Sequence, residues 1–562
     1  MNKKIISACC KAIRILGIII IGYLFLQGLF TICCIQRVTE KVFFMQNNVI
    51  RQLLCIGVFL IITMFLRKRT IQNFVEKYGT FIAGGMLFLL TVFLTVWVVN
   101  TRFWFFGDME KVYQYAGMLL EGDYSGWLPG GYPYMWPHQN GLLLFVALLL
   151  KFFSTDNSFL VFYGLNIVFY IITIVAVLAS LKMLYPEVKT NCVQGVMLIC
   201  YLPYSFFCTL LYGNIIGFSW ACIAMAALLR YTRRHKAGWL ACSAVCMSLA
   251  VIFKQNELII LIGLMTLLIF DCIGKKEKRG RRAVLAAVYL IVVLAGIQTP
   301  DLILKQITGI EVEQGNSKWA HIAMGIQDSD GAPGWYNCYN EEVFIENNYN
   351  TEATAEAAKA DIRKTLSEFK KDPSYAWKFF NYKLASEWNN PTYECFHIQN
   401  GRNTGLELNN VIKSTINDGG KINILMICLF DMVQSALLFG VLMYLIAADK
   451  ADWEQLLFLV LFIGAFIFFA FWEAKCRYVL PFFFLMIPYA FLGYEELAER
   501  ISNRLTKWNK LYTGVAVIAI LILVIALSNG QWVSDSFKIY RDTDAYYEYI
   551  HEYNQNFVNF RF

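Results

Sequence analysis

Apolar residues in this chain are gathered into runs of about 17–25, the length at which a helix crosses a hydrocarbon core about 30 Å thick. Such runs recur along most of the sequence. In lipid every backbone amide must be satisfied within its own segment, so runs of this length fold as helices. Candidate spans fall at 12–34, 50–66, 80–100, 158–182, 191–208, 213–230, 237–253, 256–273, 283–299, 421–446, 453–471, 478–494 and 510–528, about thirteen in all. The expected fold class is an all-α polytopic membrane protein.

Composition agrees with that reading: 16% of residues are charged and 58% hydrophobic, against about 25% and 45–50% in soluble domains. The formal charge of +8 sits in short clusters between apolar runs, such as Arg67, Lys68, Arg69 and Lys275, Lys276, Lys278, Arg279, Arg281, Arg282. That pattern marks cytoplasmic loops, and no nucleic-acid partner is expected. None of the 16 cysteines forms a C-x-x-C motif and most lie inside apolar runs, which argues against a zinc site or a disulfide scaffold. The basic stretch Met1 to Arg14 leads into an apolar run without a clear cleavage site and reads as an uncleaved first span.

With the amino terminus inside, the basic loops Arg67 to Lys77, Arg230 to Lys236, Lys275 to Arg282 and Arg500 to Lys510 all fall on the cytoplasmic side. Gly141 to Phe153 is apolar but only 13 residues long; counting it as a span would reverse every later loop, so it is expected to be a partial or juxtamembrane helix. Five regions follow: two extra amino-terminal helices (1–78), a core (79–299) with an outer loop at 101–140, an extracytoplasmic loop domain (300–420), carboxy-terminal helices (421–528) and an aromatic outer tail (529–562). The loop domain has a helix-like stretch from Thr351 to Lys371, and its only cysteines, Cys338 and Cys395, are candidates for a bridge in an oxidising exterior.

Chemistry-bearing residues cluster in the outer loops. Phe105-Phe106-Gly107-Asp108-Met109-Glu110-Lys111 precedes an amphipathic stretch with Met109, Val112, Ala116, Leu119 and Leu120 at helical spacing, a helix lying in the interface. Asp108 stands at its start, where a carboxylate is favoured; by itself it reads first as a helix cap. The aromatic and proline-rich stretch Tyr132 to Gln139 follows, with His138 inside it. Glu473-Ala474-Lys475-Cys476-Arg477-Tyr478 interrupts two apolar runs; Arg477 offers a fork of donors suited to phosphate, which Glu473 could orient. Lys254 lies between two more runs, near Glu257, and suits an anion or a snorkelling role. Asp431 is a carboxylate inside a span, functional by default or paired with a neighbouring helix.

In this order the features resemble the GT-C class of integral membrane glycosyltransferases, in particular the bacterial protein O-mannosyltransferase and aminoarabinose transferase-like branch. The likeness rests on Asp108 with its interfacial helix and Gly122-Asp123-Tyr124, on Tyr132-Pro133 to Pro137-His138-Gln139, and on Glu473-x-x-x-Arg477-Tyr478 with Pro481. The Met324-Gly325 and Gly331 to Tyr336 portions are similar to Gram-positive members. The resemblance implies transfer of a sugar from a polyprenyl-phosphate donor, in the outer leaflet of a bacterial plasma membrane, to an extracytoplasmic glycan, teichoic-acid-type polymer, lipid or protein. It implies Asp108 as general base with Glu110 as alternative or support, Arg477 and then Lys254 on the donor phosphate, and Tyr132, His138, Gln139, Glu473 and Tyr478 on substrate. Inversion at the anomeric carbon and no cofactor or metal are expected. Two readings stand beside it: a transporter or flippase, favoured by Asp431 and Lys254, and a cell-wall polymerase or ligase of another fold, using Lys318, His321 and Glu341.

Overall fold

The computed structural model describes residues 2–35, 41–153, 155–186, 191–274, 279–400, 402, 404–417, 420–447 and 452–502. Within them, ten helices are long and apolar enough to cross a membrane: Lys4–Phe30, Val49–Leu66, Arg69–Thr101, Asn157–Leu184, Asn214–Arg234, Gln255–Gly274, Arg279–Thr308, Lys421–Ala447, Trp453–Phe471 and Cys476–Ile501. The expected span at 191–208 is a broken one, Cys192–Cys200 and Leu202–Thr209 meeting at 60°, because Pro203 cannot continue the preceding hydrogen-bond ladder. The span at 237–253 is the shorter apolar helix Ala237–Phe253. The run at 510–528 and the tail at 529–562 lie outside the described residues.

Burial sorts these helices into an inner and an outer set. The most apolar stretches of Cys476–Ile501 and Asn214–Arg234 are 89% and 78% buried, whereas those of Val49–Leu66, Arg69–Thr101 and Arg279–Thr308 are 17–22% buried. The outer three expose rows of Leu, Ile, Val and Phe, the surface a hydrocarbon solvent requires. At the centre, Gly440 and Gly493 let helices Lys421–Ala447 and Cys476–Ser502 touch backbone to backbone; a methyl group on either would overlap the other helix.

The first expected span, 12–34, is wrong at its end. The helix stops at Phe30, and Thr31–Ile35 pairs antiparallel with Val42–Gln46, Cys33 opposite Phe44. These β-branched and aromatic residues suit a pleated surface, and hydropathy alone does not distinguish an apolar strand from the tail of an apolar helix. The hairpin closes a small core with Ala332, Trp335, Tyr382, Ala385, Ala474 and Cys476. The amino-terminal helices are therefore built into the bundle. Arg14 donates to Leu445 O at 2.8 Å, and Asp431 pairs with Arg51 at 2.9 Å while also accepting from Asn47 and Gln52.

The loop domain packs against the same end of the bundle. Helix Thr351–Lys371 has the expected bounds: Asn350 caps its start by accepting from Ala353 N, and Pro373 opens the next helix, Pro373–Trp388, where Asp372 caps Tyr375 N. Cys338 is exposed and Cys395 buried, both as free thiols, so the candidate bridge does not form. The short segment is helix Asn140–Phe152, packed on helices Asp108–Glu121, Asn157–Leu184 and Ala237–Phe253.

Candidate active site

The segment leading to Asp108 is held by one buried arginine. Arg402 donates to Trp104 O at 2.7 Å, Phe103 O at 3.2 Å, Thr209 O at 2.9 Å and the Tyr163 hydroxyl at 2.8 Å. The chain then turns at Gly107, whose φ of 56° and ψ of −133° lie where a side chain is strained, and helix Asp108–Glu121 begins. Gly107, not Asp108, occupies the cap position, and no side chain caps this helix. The Asp108 carboxylate is therefore exposed and free of capping work, while Met109, Val112, Ala116 and Leu119 anchor the helix. Leu120, expected on that apolar face, is exposed. The helix ends at Gly122, in the left-handed region.

Four remote segments lie within electrostatic reach of Asp108 there. Its negative charge acts on Tyr132, Lys254, Tyr212, Glu473 and Tyr478. Lys254 Nζ is 5.6 Å from the ring centres of both Tyr212 and Tyr478, and Arg477 Cζ is 5.2 and 5.7 Å from the same two rings. Ring faces are negative and attract cations at such distances. Gly213 makes this crowding possible: it takes a φ of 66°, and a side chain there would overlap Phe253 O, just before Lys254. Burial, with Arg477 nearby, pushes Lys254 down to about 8, against the pull of Asp108, Glu257 and Glu473. Burial also raises the Glu473 carboxyl, which accepts from the Tyr478 hydroxyl at 3.4 Å.

The strongest partner of Arg477 has no counterpart among the expected residues. Glu394 Oε2 lies 3.1 Å from Arg477 Nη1, and its Oε1 accepts from Cys476 N at 3.0 Å. Tyr393 and Glu394 both have positive φ, 50° and 65°, a conformation costing roughly 1–3 kcal/mol per residue. The surroundings enforce it: the buried Tyr393 hydroxyl meets Tyr201 and Gln434, each at 3.0 Å, and Asn390 Oδ1 accepts from the amides of Thr392 and Tyr393. The signal in the sequence was a lone carboxylate in the turn Asn390-Pro391-Thr392-Tyr393-Glu394, too short a pattern to single out.

The loop domain braces the 472–477 turn from the other side. Lys383 Nζ donates to Gly325 O and to Trp472 O, the latter at 2.6 Å. Burial pushes Lys383 down to about 8 and raises the Glu387 carboxyl well above its ordinary range. His321 stacks on Trp472 at 5.0 Å and meets the edge of Trp136 at 5.6 Å; His138 packs on Trp136 at 6.1 Å.

His138 is reachable by solvent yet crowded by protein. That crowding, with His321, Lys254 and Lys318 nearby, pushes it down to about 3, and burial pushes His321 down to about 4. Both rings are neutral near pH 7, suited to hydrogen bonding rather than proton transfer. Gln139 follows on the same turn, half-buried.

Asp108, Lys254, Arg477, Tyr132, Glu473 and Tyr478 are thus brought together, with His138 at the edge. Glu110, half-buried on the Asp108 helix, is not tied to the cluster by any contact among the described residues. Of the loop-domain set, Glu341 accepts from the Tyr336 hydroxyl at 2.7 Å, and its charge reaches Tyr132. No three or more His, Cys, Asp or Glu side chains stand as a metal-holding group among the described residues. Comparison of the chain with family models, with curated proteins and with solved structures finds no match.

Proposed function

We propose that this chain is an inverting glycosyltransferase that moves a sugar from a polyprenyl-phosphate donor to a hydroxyl of an extracytoplasmic acceptor. The observation that carries the reading is the pair of cations, Lys254 and Arg477, sharing the Tyr212 and Tyr478 rings, with the charge of the exposed Asp108 carboxylate acting on Lys254 and on both rings.

The two halves of the reaction need those groups. The acceptor hydroxyl gives its proton to Asp108 as its oxygen bonds the anomeric carbon. The bond from that carbon to the phosphate oxygen breaks on the opposite face, and the negative charge appearing on the lipid phosphate is stabilised by Arg477 and Lys254, fixed in place before the step. Tyr132, Glu473, Tyr478, His138 and Gln139 are available to sugar hydroxyls. Ten apolar helices support a multi-pass membrane protein, and the basic loops favour an active site facing away from the cytoplasm. A transporter has less support, because Asp431, the carboxylate within a span that favoured it, is engaged by Arg51, Asn47 and Gln52.

The test is release of labelled sugar from a panel of undecaprenyl-phosphate sugars by purified protein in lipid. Asp108→Asn is expected to lower turnover by roughly 100-fold or more, with the protein monodisperse, and Arg477→Ala to abolish turnover. Full activity in Asp108→Asn would move the base elsewhere, and no turnover of any donor would overturn the reading.

A further inference from the structure

Two cations share the site, yet they are treated differently. Arg477 has a carboxylate in contact, Glu394, whose second oxygen is used by the Cys476 amide at the start of the same helix. Lys254 lies against Tyr212 and Tyr478 and has no ion-pair partner among the described residues. Glu394 is 2% exposed, so it offers nothing to substrate directly. It reaches Arg477 from a turn in which Tyr393 and Glu394 both have positive φ and Tyr393 is held by Tyr201, Gln434 and Asn390. Burying a carboxylate in strained backbone is unfavourable unless it has a partner, and here that partner is the site's arginine.

Charge gives the arrangement a purpose. A sugar joined to a lipid phosphate is a phosphodiester with one negative charge. After the sugar leaves, the lipid carries a phosphomonoester of about −1.5 to −2 near neutral pH. Two uncompensated cations would therefore grip the spent lipid more tightly than the donor, and the site would fill with product.

Resting on the transferase reading, we propose that Glu394 is a positioning residue and counter-charge for Arg477, aiming the guanidinium and offsetting its charge so that the spent lipid phosphate can leave.

The experiment uses the full chain in lipid nanodiscs, measuring binding of undecaprenyl phosphate and, in parallel, donor turnover. Glu394→Gln is expected to bind undecaprenyl phosphate roughly three- to tenfold more tightly, with the gain shrinking at high salt. Donor KM and kcat should both fall, because release becomes slow; a purely structural defect would instead weaken binding. Glu394→Asp, which keeps the charge but draws it back from Arg477, is expected to tighten binding about twofold and decides the matter if the Gln variant does not fold. Unchanged or weaker binding in a monodisperse variant overturns the proposal. Tighter binding without turnover of any donor would leave the counter-charge standing and remove the transferase reading; turnover by wild type with unchanged binding in the variants would do the reverse.

Discussion

Lys254 and Arg477 lie against the same two rings, Tyr212 and Tyr478, although one cation precedes the span Gln255–Gly274 and the other opens the span Cys476–Ile501. Burial disfavours the ionised form of a cation, and a like charge this close adds to the effect. Lysine yields, down to about 8, because arginine in proteins stays protonated.

A pH dependence follows from that shift. Lys254 loses its proton as pH rises through about 8, so its charged fraction falls from about nine-tenths at pH 7 to about one-tenth at pH 9. Affinity for undecaprenyl phosphate is expected to drop across that window, and Lys254→Arg to flatten the curve. Lys383, also near 8, braces the Trp472 carbonyl, so a drop that persists in Lys254→Arg would assign the dependence to Lys383 instead.

Gly107 is expected to be intolerant of substitution. Its backbone lies where side chains are rarely accommodated, and Gly107→Ala should cost roughly 1–3 kcal/mol locally and displace Asp108. Open space surrounds the position, so the fold should survive. Turnover should fall by at least about tenfold while the melting temperature drops by only a few degrees; wild-type turnover would mean that the Asp108 helix start is not fixed by this turn.

The Arg51–Asp431 pair gives a stability test remote from the site. Arg51→Ala leaves a buried carboxylate without its cation and should destabilise by about 3–5 kcal/mol. The double variant Arg51→Met with Asp431→Leu should recover much of that loss, read by thermal unfolding in detergent. Equal loss in both would place the stabilisation in the wider hydrogen bonding of Asn47 and Gln52.

Sequence by itself determined the helical membrane architecture. Twelve of the expected spans correspond to apolar helices among the described residues, the 191–208 run as a bent pair and the 237–253 run as a shorter helix. Helix Thr351–Lys371 and the amphipathic helix after Gly107 were also legible. These features follow from hydropathy, periodicity and capping chemistry, which act over neighbouring residues. Only the tertiary structure decided that Phe30 ends a helix and Thr31 begins a hairpin, because that strand is stabilised by the distant Trp335 and Tyr382. It also decided that Lys254 and Arg477 lie against the same two rings within reach of the Asp108 charge, that Glu394 pairs with Arg477, and that Cys338 and Cys395 stay apart. Each of those relationships joins segments far apart in the chain, where local pattern carries no information and the meeting depends on how whole helices pack.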